Sequence, residues 1–253
     1  MNPDVPYLSK QHIEREANIL LAEYGREHGP VVIPPVPVDE ILELHLGLTL
    51  EMDDLRGQFG GAEVLGALWF NDKRVVIDQH LDPETNPEKE GRFNFTCGHE
   101  GAHWWLHRPY FTEGADQGEL FGAEEGKPSH VCRRVDEKAR IEWQADYFAS
   151  HLTMPRTLVL QVWKDQFGHV EPVVYEDCKR LPIAQPYRRK GLQPLRHLLS
   201  QAFSPEAPLF NRVAKEFADV FKVSTLAMRI CLEEMGLLVR SRSECAPLFR
   251  AAR

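Results

Sequence analysis

No two cysteines in this 253-residue sequence form a CxxC pair, and the five present, Cys97, Cys132, Cys178, Cys231 and Cys245, are scattered and odd in number. That excludes a disulfide framework and points to a reducing compartment. No apolar run comes near the ~20 residues a membrane span requires. The opening stretch, MNPDVPYLSKQHIERE, lacks the apolar core of a signal peptide, so a cytoplasmic location is expected. An excess of positive charge is missing too. The chain has 38 acidic residues against 30 basic ones, a formal net charge of −8, which disfavours binding duplex DNA by bulk charge. What is present is globular: 43% hydrophobic and 27% charged residues exclude a disordered chain. The length allows one large domain, or a medium one with an appendage.

Helical periodicity opens the chain. Ile13, Ala17, Leu20, Leu21 and Tyr24 line one face of a helix over residues 9–24, which Gly25 and Gly29 can end. Three prolines stiffen residues 31–37, and a short helix follows from Val38 to Leu46, stopped by Gly47. Leu48–Met52, Val64–Phe70 and Lys73–Asp78 read as strands of a small sheet, with Asn71-Asp72 as a two-residue hairpin turn. A helix is expected over residues 92–107, with Phe95, Ala102 and Leu106 as its core stripe. Residues 109–135 carry four glycines and read as a long loop. Helices follow over 136–154, with Ile141, Ala145, Phe148 and Leu152 inward, and over 156–167. Residues 169–206 are irregular, proline-rich and partly basic. Helices over 209–221 and 225–235 close the pattern, the second capped by Ser224 and stopped by Gly236.

The chemistry concentrates in His99-Glu100-Gly101-Ala102-His103, an H-E-x-x-H. Residues four apart on a helix share a face, so both imidazoles can reach one zinc ion. The glutamate between them is directed at a water on that ion, whose proton it can take and later give to a leaving amine. A zinc hydrolase needs a third protein ligand and one open position. His107 continues the row, but roughly 12 Å of helix rise separates it from His99, too far to share a metal. The better source is Glu142-x-x-x-Asp146 on the next helix. Glu142 can supply the third ligand, and Asp146 can accept a hydrogen bond from a ligand histidine, fixing the ring. Asp146 as the direct ligand stays open, and His130-x-Cys132 is a weaker donor pair. Cys97 is read as a core residue.

Three blocks resemble the ImmA/IrrE metallopeptidases. Phe95-Thr96-Cys97-Gly98-His99-Glu100-Gly101-Ala102-His103, followed by Leu106-His107, is similar to their zinc-helix block. The run from Glu142 through Ala145, Asp146, Phe148, Ala149 and Leu152 to Met154-Pro155 is similar to their second block, and Ala214 through Val223-Ser224 to Gly236-Leu237 to a third. Gly98 and Asp146 depart mildly from the usual alanine and asparagine, Thr153 stands for a leucine, and Cys231 replaces an arginine. The resemblance implies a zincin-like α+β fold with zinc on His99, His103 and Glu142, and Glu100 as catalytic acid and base. It implies cleavage of a helix-turn-helix transcriptional repressor controlling stress or mobile-element genes. A strand within Leu65–Asp78 would then accept the substrate backbone.

The expected organisation is a zincin-like domain over 1–168, an irregular segment over 169–206 and a helical segment resembling a helix-turn-helix pair over 207–253. In that last region Arg229, Arg240 and Arg242 could meet phosphates. Eight basic residues against six acidic ones over 206–253 nevertheless give a weak basic face, and Ala214, Phe217, Phe221, Leu226, Ile230 and Met235 read more simply as packing residues. Arg188-Arg189-Lys190 reads as a solvated loop. A second functional reading keeps the zincin scaffold as a regulatory module that binds a repressor or DNA without cutting.

Overall fold

Ser9 opens the first helix, α1 (Lys10–His28), its hydroxyl accepting the His12 amide at 3.2 Å. Ile13, Ala17, Leu20 and Tyr24 are buried along one face, and the helix runs through Gly25 to end at Gly29. This is a computed structural model, and it describes residues 5–112, 130–133, 140–174 and 209–239. It divides into two units, residues 1–155 and 156–253.

In the first unit, α2 (Val38–Glu40) widens at once into a π-helical turn over Ile41–His45. The sheet then assembles from β1 (Thr49–Asp53), β2 (Val64–Trp69), β3 (Arg74–Asp78) and β4 (His130–Arg133), with the short helix α3 (Leu55–Gln58) between β1 and β2. Its order is β1-β3-β2-β4, with β1 parallel to β3 and the other pairs antiparallel. The expected two-residue turn is a four-residue loop instead. Trp69 pairs with Arg74, and Lys73 takes the left-handed conformation at φ 49°. The strand β4 falls in the stretch read as loop. The expected strand-accepting segment, Leu65–Asp78, holds β2 and β3, each paired on both sides, and among the described residues β1 and β4 are the sheet's edge strands.

The helix carrying the H-E-x-x-H runs as α4 (Glu90–Ala102), widens into a π-helical turn over His103–His107, and resumes as α5 (Arg108–Thr112). Such turns recur at functional sites. Burial here is nearly all-round: Phe93, Thr96, Cys97, Gly98 and every residue from His99 to Trp104 are buried, while Phe95 and Leu106 of the expected stripe are only partly so. A helix covered on all sides carries its polar groups into the interior, where each needs a partner. The partner helix is α6 (Arg140–Thr153), whose inward face is Ile141, Ala145, Phe148 and Leu152, joined by Gln144.

In the second unit, α7 (Arg156–Phe167) packs with α8 (Leu209–Phe221) through Trp163, whose ring stacks on Phe217 with centroids 5.4 Å apart. This aromatic contact places α7 in the second unit. The strands β5 (Val173–Val174) and β6 (Leu238–Val239) pair in parallel. Between α8 and β6, Ser224 caps α9 (Thr225–Glu234) by accepting the Ala227 amide at 3.1 Å, and Gly236 at φ 69° ends it. Ala214, Phe217, Phe221 and Met235 are buried, but Leu226 and Ile230, expected to pack, are 56% and 48% exposed. Arg229 donates to Asn211 Oδ1 at 3.0 Å and pairs with Glu233 at 3.2 Å, so its guanidinium already serves neighbours. Arg240, Arg242, Arg188, Arg189 and Lys190 lie outside the described residues.

Candidate metal centre

Close approach of two helices sets the site. A Cβ built on Gly98 of α4 would stand 3.3 Å from the Ala149 Cβ of α6, so small residues at both positions let the backbones come together. One turn beyond Gly98 and one to two turns before Ala149 lie His103, Glu142 and Asp146. The Nε2 atoms of His99 and His103 are 3.1 Å apart. Glu142 reaches both, Oε2 lying 3.3 Å from His99 Nε2 and Oε1 3.6 Å from His103 Nε2. Ligand atoms of all three residues fall within 4.8 Å of one another. His99 and His103 are 2% and 0% exposed and Glu142 14%, so the cluster meets solvent on the Glu142 side.

Asp146 sits on the opposite edge of the first imidazole. Its Oδ1 lies 2.9 Å from His99 Nδ1. A carboxylate only accepts, so His99 carries its proton on Nδ1 and presents a bare lone pair at Nε2. That tautomer is assigned from the hydrogen-bond partner. Two imidazole nitrogens 3.1 Å apart, flanked by a carboxylate, converge as a ligand set that could hold a divalent cation. The donor chemistry fits the metal that the sequence motif implies.

Glu100 is fully buried against β2. A Cβ on Gly66 would lie 2.6 Å from Glu100 Oε1, so only glycine leaves room for the carboxylate there. Gly66 follows a register shift in the β2–β4 pairing, which leaves Leu65 as the extra residue of a bulge. Cys97 is buried, and burial pushes its thiol well above the ordinary range, as befits a core residue. His130 and Cys132 lie on β4 rather than in a loop. Trp104 is buried against Phe70 with ring centroids 6.1 Å apart, and the Trp105 indole donates to Glu16 Oε2 at 3.2 Å. Tyr147 stacks between Trp143 and His151 under the Lys10 ammonium.

Two residues of this neighbourhood went unassigned in the sequence. His107, set aside as a ligand on distance, is buried with Nδ1 3.0 Å from His103 Nδ1 and Nε2 3.0 Å from Gln144 Oε1. Its i+4 spacing from His103 was the available signal. Gln144 offered none, because its partners come from separate elements. Another donor group among the described residues, Glu27, His28 and His45, lies near the end of α1. There His45 reads as an ion-pair bridge, 2.9 Å from Glu27 and 3.8 Å from Glu23, and its hydrogen bond holds the Glu27 carboxyl below its ordinary value.

Among the described residues no helix is long and apolar enough to cross a membrane. No curated protein matches the chain. Residues 69–188, which contain α4 and α6, match the family model Peptidase_M78, IrrE N-terminal-like domain. Over these residues the chain is similar to the ImmA/IrrE family, a family of metal-dependent peptidases.

Proposed function

We propose that this protein is a zinc-dependent endopeptidase with a zincin-like fold. Its proposed substrate is a helix-turn-helix transcriptional repressor of stress or mobile-element genes, met in the cytoplasm. The observation that carries the reading is the convergence of His99 Nε2, His103 Nε2 and the Glu142 carboxylate beside Glu100. The repressor as substrate rests on the family resemblance.

In this reading His99, His103 and Glu142 hold the ion and leave a coordination position open. When bound, the ion supplies Lewis acidity toward water and toward the scissile carbonyl. Asp146 keeps the His99 ring turned with Nε2 inward. Glu100 removes a proton from the attacking water at its carboxylate and returns it to the departing amine nitrogen. Burial of His99, Glu100 and His103 excludes bulk water, so a proton on Glu100 passes to substrate instead of solvent.

The test is co-incubation of the zinc-loaded protein with a helix-turn-helix regulator encoded beside it. Cleavage by the wild type is expected, together with a loss of at least about 10²-fold in Glu100→Gln. The variant should still bind about one zinc per chain. A wild-type protein that retains no metal after purification in zinc-containing buffer would refute the reading.

A further inference from the structure

The carbonyl of Pro6 is a main-chain acceptor with no proton to give. Gln144 Nε2 lies 2.9 Å from it and must donate. That orientation turns Gln144 Oε1 toward His107 Nε2, 3.0 Å away. An amide oxygen only accepts, so His107 is protonated on Nε2. Its Nδ1 then carries a lone pair, and that atom lies 3.0 Å from His103 Nδ1. The contact is a hydrogen bond only if His103 carries its proton on Nδ1. His103 Nε2 is thereby left bare, on the side facing His99 Nε2 and Glu142.

We propose that the Pro6 carbonyl, Gln144 and His107 form a one-directional hydrogen-bond relay that fixes the tautomer and orientation of His103, so that its Nε2 lone pair faces the metal position. His107 and Gln144 are positioning residues, and the arm ahead of α1 belongs to the metal centre through one carbonyl. The inference rests on the reading of His103 as a metal ligand, and extends it to residues that touch neither ion nor substrate.

The surroundings support a built device. His103, His107 and Gln144 are each 0% exposed, so no bulk water competes for these bonds. The arm is held independently of Gln144. Val5 is buried, its carbonyl accepts from Arg140 Nη1 at 3.4 Å, and the Tyr7 ring stacks on Trp143 with centroids 6.1 Å apart. The π-helical turn over His103–His107 carries both imidazoles of the first step. Asp146 performs the corresponding task for His99 directly, with a carboxylate. The two ligand histidines are thus oriented by different chemistries, one charged and partly exposed, the other neutral and buried.

Two measurements test the relay. The first reads imidazole tautomers by two-bond 15N–1H correlation NMR on the full chain at pH 8, metal-free and zinc-loaded. His107 is expected as the Nε2–H tautomer in both; a proton on His107 Nδ1 overturns the proposal. The second measures zinc affinity by chelator competition for wild type, Gln144→Leu, His107→Leu and His107→Gln, with circular dichroism checking the fold. The leucine variants should bind zinc about 10- to 100-fold more weakly, the usual cost of removing an outer partner of a metal ligand. His107→Gln should recover most of that loss, because its amide oxygen can accept from His103 while its NH2 donates to Gln144. Folded leucine variants with wild-type affinity refute the relay, and if they fail to fold the tautomer of the wild type decides. Failure of the wild type to bind zinc would sink the metal-site reading instead, a result that the His107 tautomer does not share.

Discussion

Gly66 of β2 and Glu100 of α4 meet so closely that a Cβ on the glycine would stand 2.6 Å from the carboxylate oxygen and 2.9 Å from Thr96 Cγ2. The strand cannot retreat, because β2 is hydrogen-bonded on both sides. In Gly66→Ala the carboxylate must therefore move. Displacement of a reacting group by about 1 Å can cost 10²-fold in rate, and overpacking costs about 1–3 kcal/mol of stability. Gly66→Ala should cut the proposed substrate about 10²-fold more slowly while binding zinc nearly as well as the wild type. Cleavage at the wild-type rate would show that Glu100 tolerates another position.

Asp146 and His99 allow a sharper separation of roles. The 2.9 Å contact is to Nδ1, on the ring edge away from His103, which favours Asp146 as an orienting acceptor over a direct ligand. Asp146→Ala should weaken zinc binding about 10- to 100-fold. Asp146→Asn should stay close to wild type, because the amide oxygen accepts from the same N–H. If asparagine is as damaging as alanine, the carboxylate charge or direct ligation matters and the orienting role is wrong. Chelator competition on the three proteins decides it.

Gly98 tests the helix contact that brings Glu142 to the histidines. Its built Cβ reaches Ala149 Cβ at 3.3 Å and Ala149 Cα at 3.4 Å, a gap that admits at most one methyl group after slight adjustment. Gly98→Val adds two more carbons and must part α4 from α6. The expected result is a loss of about 1–3 kcal/mol in unfolding free energy, accompanied by weaker zinc binding as Glu142 withdraws. Destabilisation with unchanged zinc affinity would show that Glu142 follows its helix less rigidly than the packing suggests.

Local patterns carried much of the fold. The stripes of α1 and α6, the Ser224 cap and the Gly236 stop depend on residues within a few positions of each other, which a sequence displays directly. Strand positions were legible for the same reason, but their order was not. Nothing in Thr49–Asp53 announces that it pairs in parallel with β3, leaving β2 and β3 interior. The π-helical turn at His103 was hidden because its hydrophobic pattern differs little from that of an α-helix. Within the site, His99, Glu100 and His103 declare themselves by spacing, and Asp146 by its place one turn past Glu142. The Pro6–Gln144 contact spans 138 residues, and no local pattern encodes it. Leu226 and Ile230 misled because apolarity at helical spacing indicates a face, not whether that face is covered.

Glu216 makes the stability of α8 depend on pH. Burial, reinforced by Asp219 and opposed by Arg212, pushes its carboxyl up to about 7 from an ordinary value of 4.5. A raised carboxyl keeps its proton in the folded chain while the unfolded chain has already lost it. Between pH 4.5 and about 7 the folded state therefore binds more protons, and stability falls as pH rises. Above about 7 both states are ionised and the cost is constant. Glu216 is partly solvated, so screening reduces that cost to about 1–2 kcal/mol. Glu216→Gln removes the ionisation, and its oxygen can still accept from Gln166 Nε2, 3.2 Å away in the wild type. Hydrogen exchange of α8 amides should show the variant more protected than wild type at pH 8, by about 1–2 kcal/mol, and nearly equal to it at about pH 4, below the unfolded carboxyl's ordinary value, after correction for intrinsic exchange rates. An equal difference at both pH values would mean that the side chain acts through packing and not through its charge.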